Sequence, residues 1–153
     1  MPKTSAGILP YRTRVGQLEV LLVHPGGPFW ANKDLGSWSI AKGEYEEGEE
    51  PFKAALREFF EETGFQPTGP FLPLTQRKLA SGKLVDAWAT ESDWDTSRLV
   101  SNTFSIEWPK GSGRVREFPE VDRAEWFEIS EAIRRIRPAQ VGFIDELVEK
   151  LMC

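Results

Sequence analysis

A chain of 153 residues, 40% of them hydrophobic and 28% charged, has the length of one globular domain and enough apolar material for a core. Its net charge of −5, from 24 acidic against 19 basic side chains, lacks the basic surplus through which nucleic-acid-binding domains hold phosphates. The only cysteine, Cys153, excludes an intramolecular disulfide and a cysteine-cluster metal site, and fits a reducing compartment.

No apolar run approaches the roughly 18 residues that cross a bilayer. The opening Met1-Pro2-Lys3-Thr4-Ser5 runs straight into strand-like sequence, without a signal-peptide layout. The expectation is a cytoplasmic protein made of a single domain over 1–153, away from membranes, with nucleic acid disfavoured as a partner. Monomer and homodimer are both left open.

In chain order, Ala6-Gly7-Ile8-Leu9-Pro10-Tyr11 and Leu18-Glu19-Val20-Leu21-Leu22-Val23-His24 read as two strands joined by a polar turn. The second alternates poorly, as a strand buried on both faces does. Pro25-Gly26-Gly27-Pro28 is a loop by composition, and Ser37-Trp38-Ser39-Ile40 a short strand candidate. From Pro51 to Thr63 the period changes. Phe52, Ala55, Leu56, Phe59 and Thr63 share one helical face, Pro51 suits the first helical position, and Gly64 suits a left-handed stop. Strands are then expected at Phe71–Leu74, Lys83–Ala89 and Ala124–Ile129, with a long loop over Asn102–Pro119. Ser130 is expected to cap a helix over Glu131–Arg137, and Pro138 to begin a last helix that runs to Leu151.

Chemistry concentrates in and before the central helix. Glu58, Glu61 and Glu62 stand at i, i+3 and i+4, so their carboxylates leave one face of the helix. Like charges at that spacing repel by about 0.2–0.5 kcal/mol per pair, and a cation held among them reverses the sign. Hard ions such as Mg²⁺ and Mn²⁺ prefer such oxygens and keep water in their remaining positions. Glu49 lies at the start of the helix and Arg57 two turns on, a spacing that allows a bidentate pair fixing the preceding loop.

Gly43, five residues, Glu49, seven residues, then Arg57-Glu58-Phe59-Phe60-Glu61-Glu62-Thr63-Gly64-Phe65 resembles the Nudix box. Gly43, Glu49, Arg57, Glu58, Glu61, Glu62 and Gly64 fill its fixed positions; Phe59 and Phe65 fill apolar positions that more often hold aliphatics. At ordinary residue usage seven such coincidences have odds on the order of 10⁻⁸ per starting point. The resemblance implies an α/β (α+β) fold: an α/β/α sandwich with a mixed sheet, a central box helix and a C-terminal helix. It implies a pyrophosphohydrolase that cuts a nucleoside diphosphate linked to another group, using Mg²⁺ or Mn²⁺. It makes Glu58, Glu61 and Glu62 metal ligands, with the backbone carbonyl of Lys42 beside them, and Glu49 and Arg57 supporting members of the catalytic set. The general base in several family members is a loop glutamate six residues before a tryptophan. Glu120 stands six before Trp126 and is counted on both the catalytic and the metal side, with Glu117 second and the box residue Glu61 an alternative base.

The lead-in Trp38-Ser39-Ile40-Ala41-Lys42-Gly43 is similar to that of dinucleoside polyphosphate hydrolases, with Ala41 in place of a proline. The Pro25–Pro28 loop and Glu117–Asp122 resemble a bacterial group of nucleoside triphosphate pyrophosphohydrolases. Lys42, Arg77, Lys78, Lys83, Arg114 and Arg116 are the candidate phosphate contacts. Trp30 and Trp108 are candidates to stack on a base; Trp38, Trp88, Trp126 and His24 read as structural. A small nucleotide, either a nucleoside triphosphate or a dinucleoside polyphosphate, is the leading substrate. An RNA 5′-end pyrophosphohydrolase and a nucleotide-sensing module that no longer cuts are the competing readings.

Overall fold

The first two strands, β1 (Thr4–Arg14) and β2 (Gln17–Pro25), make a hairpin in which Tyr11 faces Val20 and Arg14 faces Gln17. It turns through Val15 and Gly16 at φ of 50° and 75°, the turn geometry whose twist matches that of paired strands. The computed structural model describes residues 4–152. Met1 to Lys3 and Cys153, on which the leader and cysteine expectations rest, lie outside the described residues. Among the described residues no helix is long and apolar enough to cross a membrane.

The main sheet runs β4 (Phe71–Pro73), β6 (Leu84–Glu91), β1, β2, β9 (Val121–Glu128). Two short strands lie off this path: β3 (Ala41–Glu44) on β1, and β5 (Arg77–Lys78) on β6. The sheet is mixed, because β1 runs parallel to β6 and antiparallel to β2 and β3. Both faces of its centre are covered. On one face Leu9, Leu22 and Trp38 pack with α2 (Ile129–Arg135) and α3 (Val141–Leu151) through Ala132, Phe143, Ile144 and Leu147. On the other, Ile8, Leu21 and Val23 pack on Ala54, Ala55 and Phe59 of α1 (Pro51–Thr63). Neighbouring residues of a strand point to opposite faces, so the Ile8-Leu9 and Leu21-Leu22 pairs each feed both cores. This is the α/β/α sandwich expected from the sequence, and it explains why β2 fails to alternate.

Helix α1 has the predicted boundaries. Pro51 opens it, and Gly64 closes it at φ 79° with its N–H donated to the Phe60 carbonyl. The Phe59 and Thr63 side chains are fully buried, as the helical spacing required.

Four expectations need correction. Residues 37–40 form isolated bridges, Val23 to Ser39 and Trp38 to Ile136. Their backbone groups are taken by Val23 and Arg135 and by the buried Gln140 side chain, whose Oε1 accepts from Ile40 N–H at 3.0 Å. The stretch 102–119 holds a hairpin, β7 (Thr103–Glu107) with β8 (Val115–Pro119). Phe104 and Ile106 face Phe118 and Arg116 across it, an alternation hidden by the Gly/Pro-rich turn between the strands. Helix α2 starts at Ile129, and Ser130 does not cap it; its hydroxyl donates to the Glu128 carboxylate instead. A 3₁₀ turn over Pro138–Gln140 precedes α3, which starts at Val141.

Candidate active site

The C-terminal half of α1 aims its acidic face at strand β3. Arg57 grips Glu49 with two parallel bonds, Nε to Oε2 and Nη2 to Oε1, each 2.9 Å. Its Nη1 also reaches Glu58 Oε1 at 2.9 Å and Glu61 Oε2 at 3.2 Å. One guanidinium thus ties the loop before the helix to two of the three helix glutamates. The other Glu58 oxygen lies against Gly43, where any Cβ would collide with the carboxylate. Glycine at the head of the box is therefore a requirement of space: the helix carboxylate and the strand backbone share that volume.

Glu62 is the most perturbed acid. Burial, then the negative charges of Glu120 and Glu58, push its pKa up to about 8, with Lys42 opposing through its charge and a backbone hydrogen bond. Burial also raises Glu58, against the pull of Arg57. Lys42 is lowered, chiefly by burial and next by the positive charges of Lys83 and Arg137. Two carboxyl groups and an ammonium are all driven toward their neutral forms in one place, which no arrangement built only for stability requires.

A cleft of about 120 Å³ collects Lys42, Glu62, Glu120 and Arg137 between the end of β2, the start of β3 and the start of β9. Three of those four were singled out in the sequence; Arg137 was not. It reaches the cleft because its N–H donates to the Trp38 carbonyl at 2.8 Å, beside the Trp38–Ile136 bridge. The Nε of Arg137 is buried without a hydrogen-bond partner, and its guanidinium lies 4.6 Å from the centre of the Trp30 ring. Nothing in its local sequence marks it, since Arg137 follows a surface helix rich in basic residues.

The remaining candidates scatter. Lys83 stands close enough to act on Lys42 and pairs with Glu44. Arg77 is turned away from the cleft onto α3, over the Phe143 ring and within 3.4 Å of Glu146. Lys78 is exposed beside it on β5. Arg114 precedes and Arg116 lies on β8, both exposed, as is Glu117, which pairs with Ser105. Trp108 packs edge-on against Phe29 at 5.4 Å. His24 is fully buried; its ring nitrogens sit 2.7 Å from Asp122 and 2.6 Å from the Lys33 carbonyl. It ties the 26–36 loop to β9, the structural role its position suggested.

A model of the NUDIX domain matches residues 1–147. The chain belongs to this family. A curated relative, an RNA pyrophosphohydrolase of Cereibacter sphaeroides, is 42% identical over 125 residues, 79% of this chain and 62% of the relative. A second, from Roseobacter denitrificans, is 40% identical over 63 residues, 39% of this chain and 38% of the relative. The chain thus spans less than two thirds of the length of the curated relatives it matches. Among solved structures, the C. elegans Ap4A hydrolase in a binary complex superposes with a TM-score of 0.64 at 21% identity, covering 98% of each chain. The NUDIX domain of Shewanella oneidensis NrtR, complexed with ADP ribose, superposes at 0.68 and 17% identity, covering 99% of this chain and 89% of that one. These neighbours carry the same fold.

Enzymes of the family use divalent ions, generally Mg²⁺ or Mn²⁺. Among the described residues no three acidic or imidazole side chains stand together in ion-holding geometry, since Arg57 draws Glu58 and Glu61 to its own side. The donor chemistry nonetheless fits. Glu62 is a carboxyl raised first by burial and then by its acidic neighbours Glu120 and Glu58, the Glu58 carboxylate fills the space at Gly43, and both offer the oxygen ligands hard cations prefer.

Proposed function

We propose that this chain is a divalent-metal-dependent pyrophosphohydrolase that cuts a phosphoanhydride bond of a nucleoside 5′-polyphosphate. The observation that carries the reading is Glu62, a largely enclosed carboxyl in the same cleft as Glu120 and Lys42, pushed up to about 8 chiefly by burial and then by the negative charges of Glu120 and Glu58, at the box position the family gives to a metal ligand. An isolated protein gains nothing from this crowding, whereas a cation converts the repulsion into attraction. Glu58, Glu62 and the Lys42 carbonyl are the groups that would hold it, with Glu61 joining once released from Arg57. A bound Mg²⁺ or Mn²⁺ supplies neutralisation of phosphate oxygens and a more acidic water.

The chain's own residues do the rest. Glu120, across the cleft from Glu62, takes the proton of the attacking water. Lys42 sets a positive charge against a phosphoryl oxygen, where it offsets the charge that builds on the leaving side. Arg57 clamps Glu49 with its two parallel bonds and so fixes the loop before the helix, while its single-nitrogen bonds to Glu58 and Glu61 are the ones that yield as those carboxylates turn to a cation.

Two substrate readings remain. The Ap4A hydrolase neighbour and the lead-in before Gly43 favour a small dinucleoside polyphosphate or nucleoside triphosphate. The curated relatives named RNA pyrophosphohydrolase favour the 5′-triphosphate end of RNA, despite the net charge of −5. Phosphate and pyrophosphate release from diadenosine tetraphosphate, GTP, ADP-ribose and 5′-triphosphate RNA, each with Mg²⁺ or Mn²⁺, separates them. Turnover of RNA alone selects the second reading. Nucleotide binding with no turnover of any of the four selects a sensor and ends the hydrolase reading.

A further inference from the structure

The carboxylate cleft is too small for a whole nucleotide. At about 120 Å³ it falls well below the roughly 300–1,000 Å³ of small-molecule sites. Its scale is that of a phosphate group with its hydration, and a nucleoside must lie elsewhere. Arg137 is shared with a second cleft, about 400 Å³, whose other walls are Leu79, Ala80 and Ser81 on the β5–β6 turn and Pro138 and Ala139 on the facing 3₁₀ turn. This one is mainly apolar, and its volume falls in the roughly 300–1,000 Å³ range of small-molecule sites. An apolar wall on one side and an acidic, metal-suited cleft on the other, joined by one guanidinium, match a molecule with a flat apolar end and a phosphate chain.

We propose that the cleft between residues 79–81 and 138–139 seats the nucleoside of the substrate, and that Arg137 grips the phosphate between the two clefts. The proposal rests on the hydrolase reading above for its ligand class and adds where that ligand lies. Three observations support Arg137 in this role. Its Nε is buried without an acceptor, which is unfavourable until a ligand oxygen arrives. Among the described residues its guanidinium forms no ion pair, unlike that of Arg135, which bonds Glu131 and Asp34. The Trp30 ring at 4.6 Å holds the planar group in place, so the fork that phosphate accepts in a bidentate manner is already oriented. Lys42 and Lys83 carry positive charge into the same corner, and Lys83 follows the turn that walls the apolar cleft.

The test uses two probes that need no turnover, ADP and inorganic pyrophosphate, titrated calorimetrically in Mn²⁺ against the full chain. Arg137→Gln should weaken both by about tenfold to a hundredfold, the range expected for losing hydrogen bonds to a charged group. Arg137→Lys should recover part of the pyrophosphate affinity. Ala139→Trp, at an exposed position, fills the apolar cleft without touching the carboxylates. It should weaken ADP by about tenfold or more while leaving pyrophosphate binding unchanged. Unchanged ADP affinity in Ala139→Trp, or unchanged pyrophosphate affinity in Arg137→Gln, overturns the proposal, even if the wild-type chain hydrolyses nucleotides. The expected pattern in a wild-type chain that hydrolyses none of the four panel substrates leaves the binding site standing and removes the hydrolase reading alone.

Discussion

Replacing Glu62 by glutamine separates the cost of this carboxyl from its use. In the folded metal-free chain its pKa is raised from 4.5 to about 8, so between those values the native state keeps a proton that the unfolded chain has lost. The native state then binds more protons, and stability falls as pH rises through that window. At pH 7 the unfolded carboxyl is about 2.5 units above its own pKa; at 1.36 kcal/mol per unit this destabilises the fold by about 3 kcal/mol, and by about 2–3 kcal/mol with solvent at the mouth of the cleft. Glutamine keeps the shape and an acceptor oxygen for the Lys42 backbone but cannot ionise. In chelator, Glu62→Gln should match wild type near pH 4, below the ordinary carboxyl value, and melt about 5–10 °C higher at pH 7, using about 2–4 °C per kcal/mol for this chain length. With Mn²⁺ at about a hundred times its dissociation constant the order narrows or reverses, because wild type gains about 2.7 kcal/mol and the variant gains little. Binding to wild type at pH 7 should release a proton, read as a dependence of the apparent enthalpy on buffer ionisation. Parallel melting profiles for the two proteins from pH 5 to 8 in chelator would refute the electrostatic argument, and equal Mn²⁺ stabilisation of both would refute the ligand assignment.

Three further outcomes follow from the same geometry. Glu120→Gln should lower kcat by about 10²–10⁴-fold, the usual range for a lost general base, and remove the acidic limb of the pH–rate profile; an unchanged limb takes the base role from Glu120. Arg57→Lys keeps the charge but breaks the fork on Glu49, so metal affinity or turnover should fall about 10–100-fold. Its melting temperature should move little, because exposed ion pairs contribute about 0–1 kcal/mol; a large loss of stability with normal metal affinity would make Arg57 a purely structural brace. Gly64→Ala places a Cβ at φ 79°, 3.2 Å from Val100, and should cost about 1 kcal/mol or more by chemical denaturation, whereas an unchanged midpoint would show that the helix end relaxes freely.

The sequence determined what is local and periodic. Helix α1 was legible to the residue because its apolar spacing, its opening proline and its closing glycine are all set within one short segment. The three glutamates on its face were legible for the same reason, because a helix fixes where side chains at i, i+3 and i+4 lie, whereas Glu49 stands in the loop before the helix and its pair with Arg57 was legible from their short separation in sequence and matching charge. Hydrophobic runs too dense to alternate already implied strands covered on both sides, hence a layered fold.

Tertiary structure alone decided what is distant along the chain. Arg137 meets Lys42 and Glu62 only because Trp38 bridges to Ile136, a contact about a hundred residues long that no local pattern encodes. Arg77 read the same as any other basic residue near a loop, yet packing turned it onto Phe143 and Glu146. The 103–119 hairpin was hidden because the cross-strand pairs that stabilise it become neighbours only after the glycine-rich turn closes. Side-chain periodicity records the direction a residue faces within its own element, and the partner it meets there is set by how the elements stack.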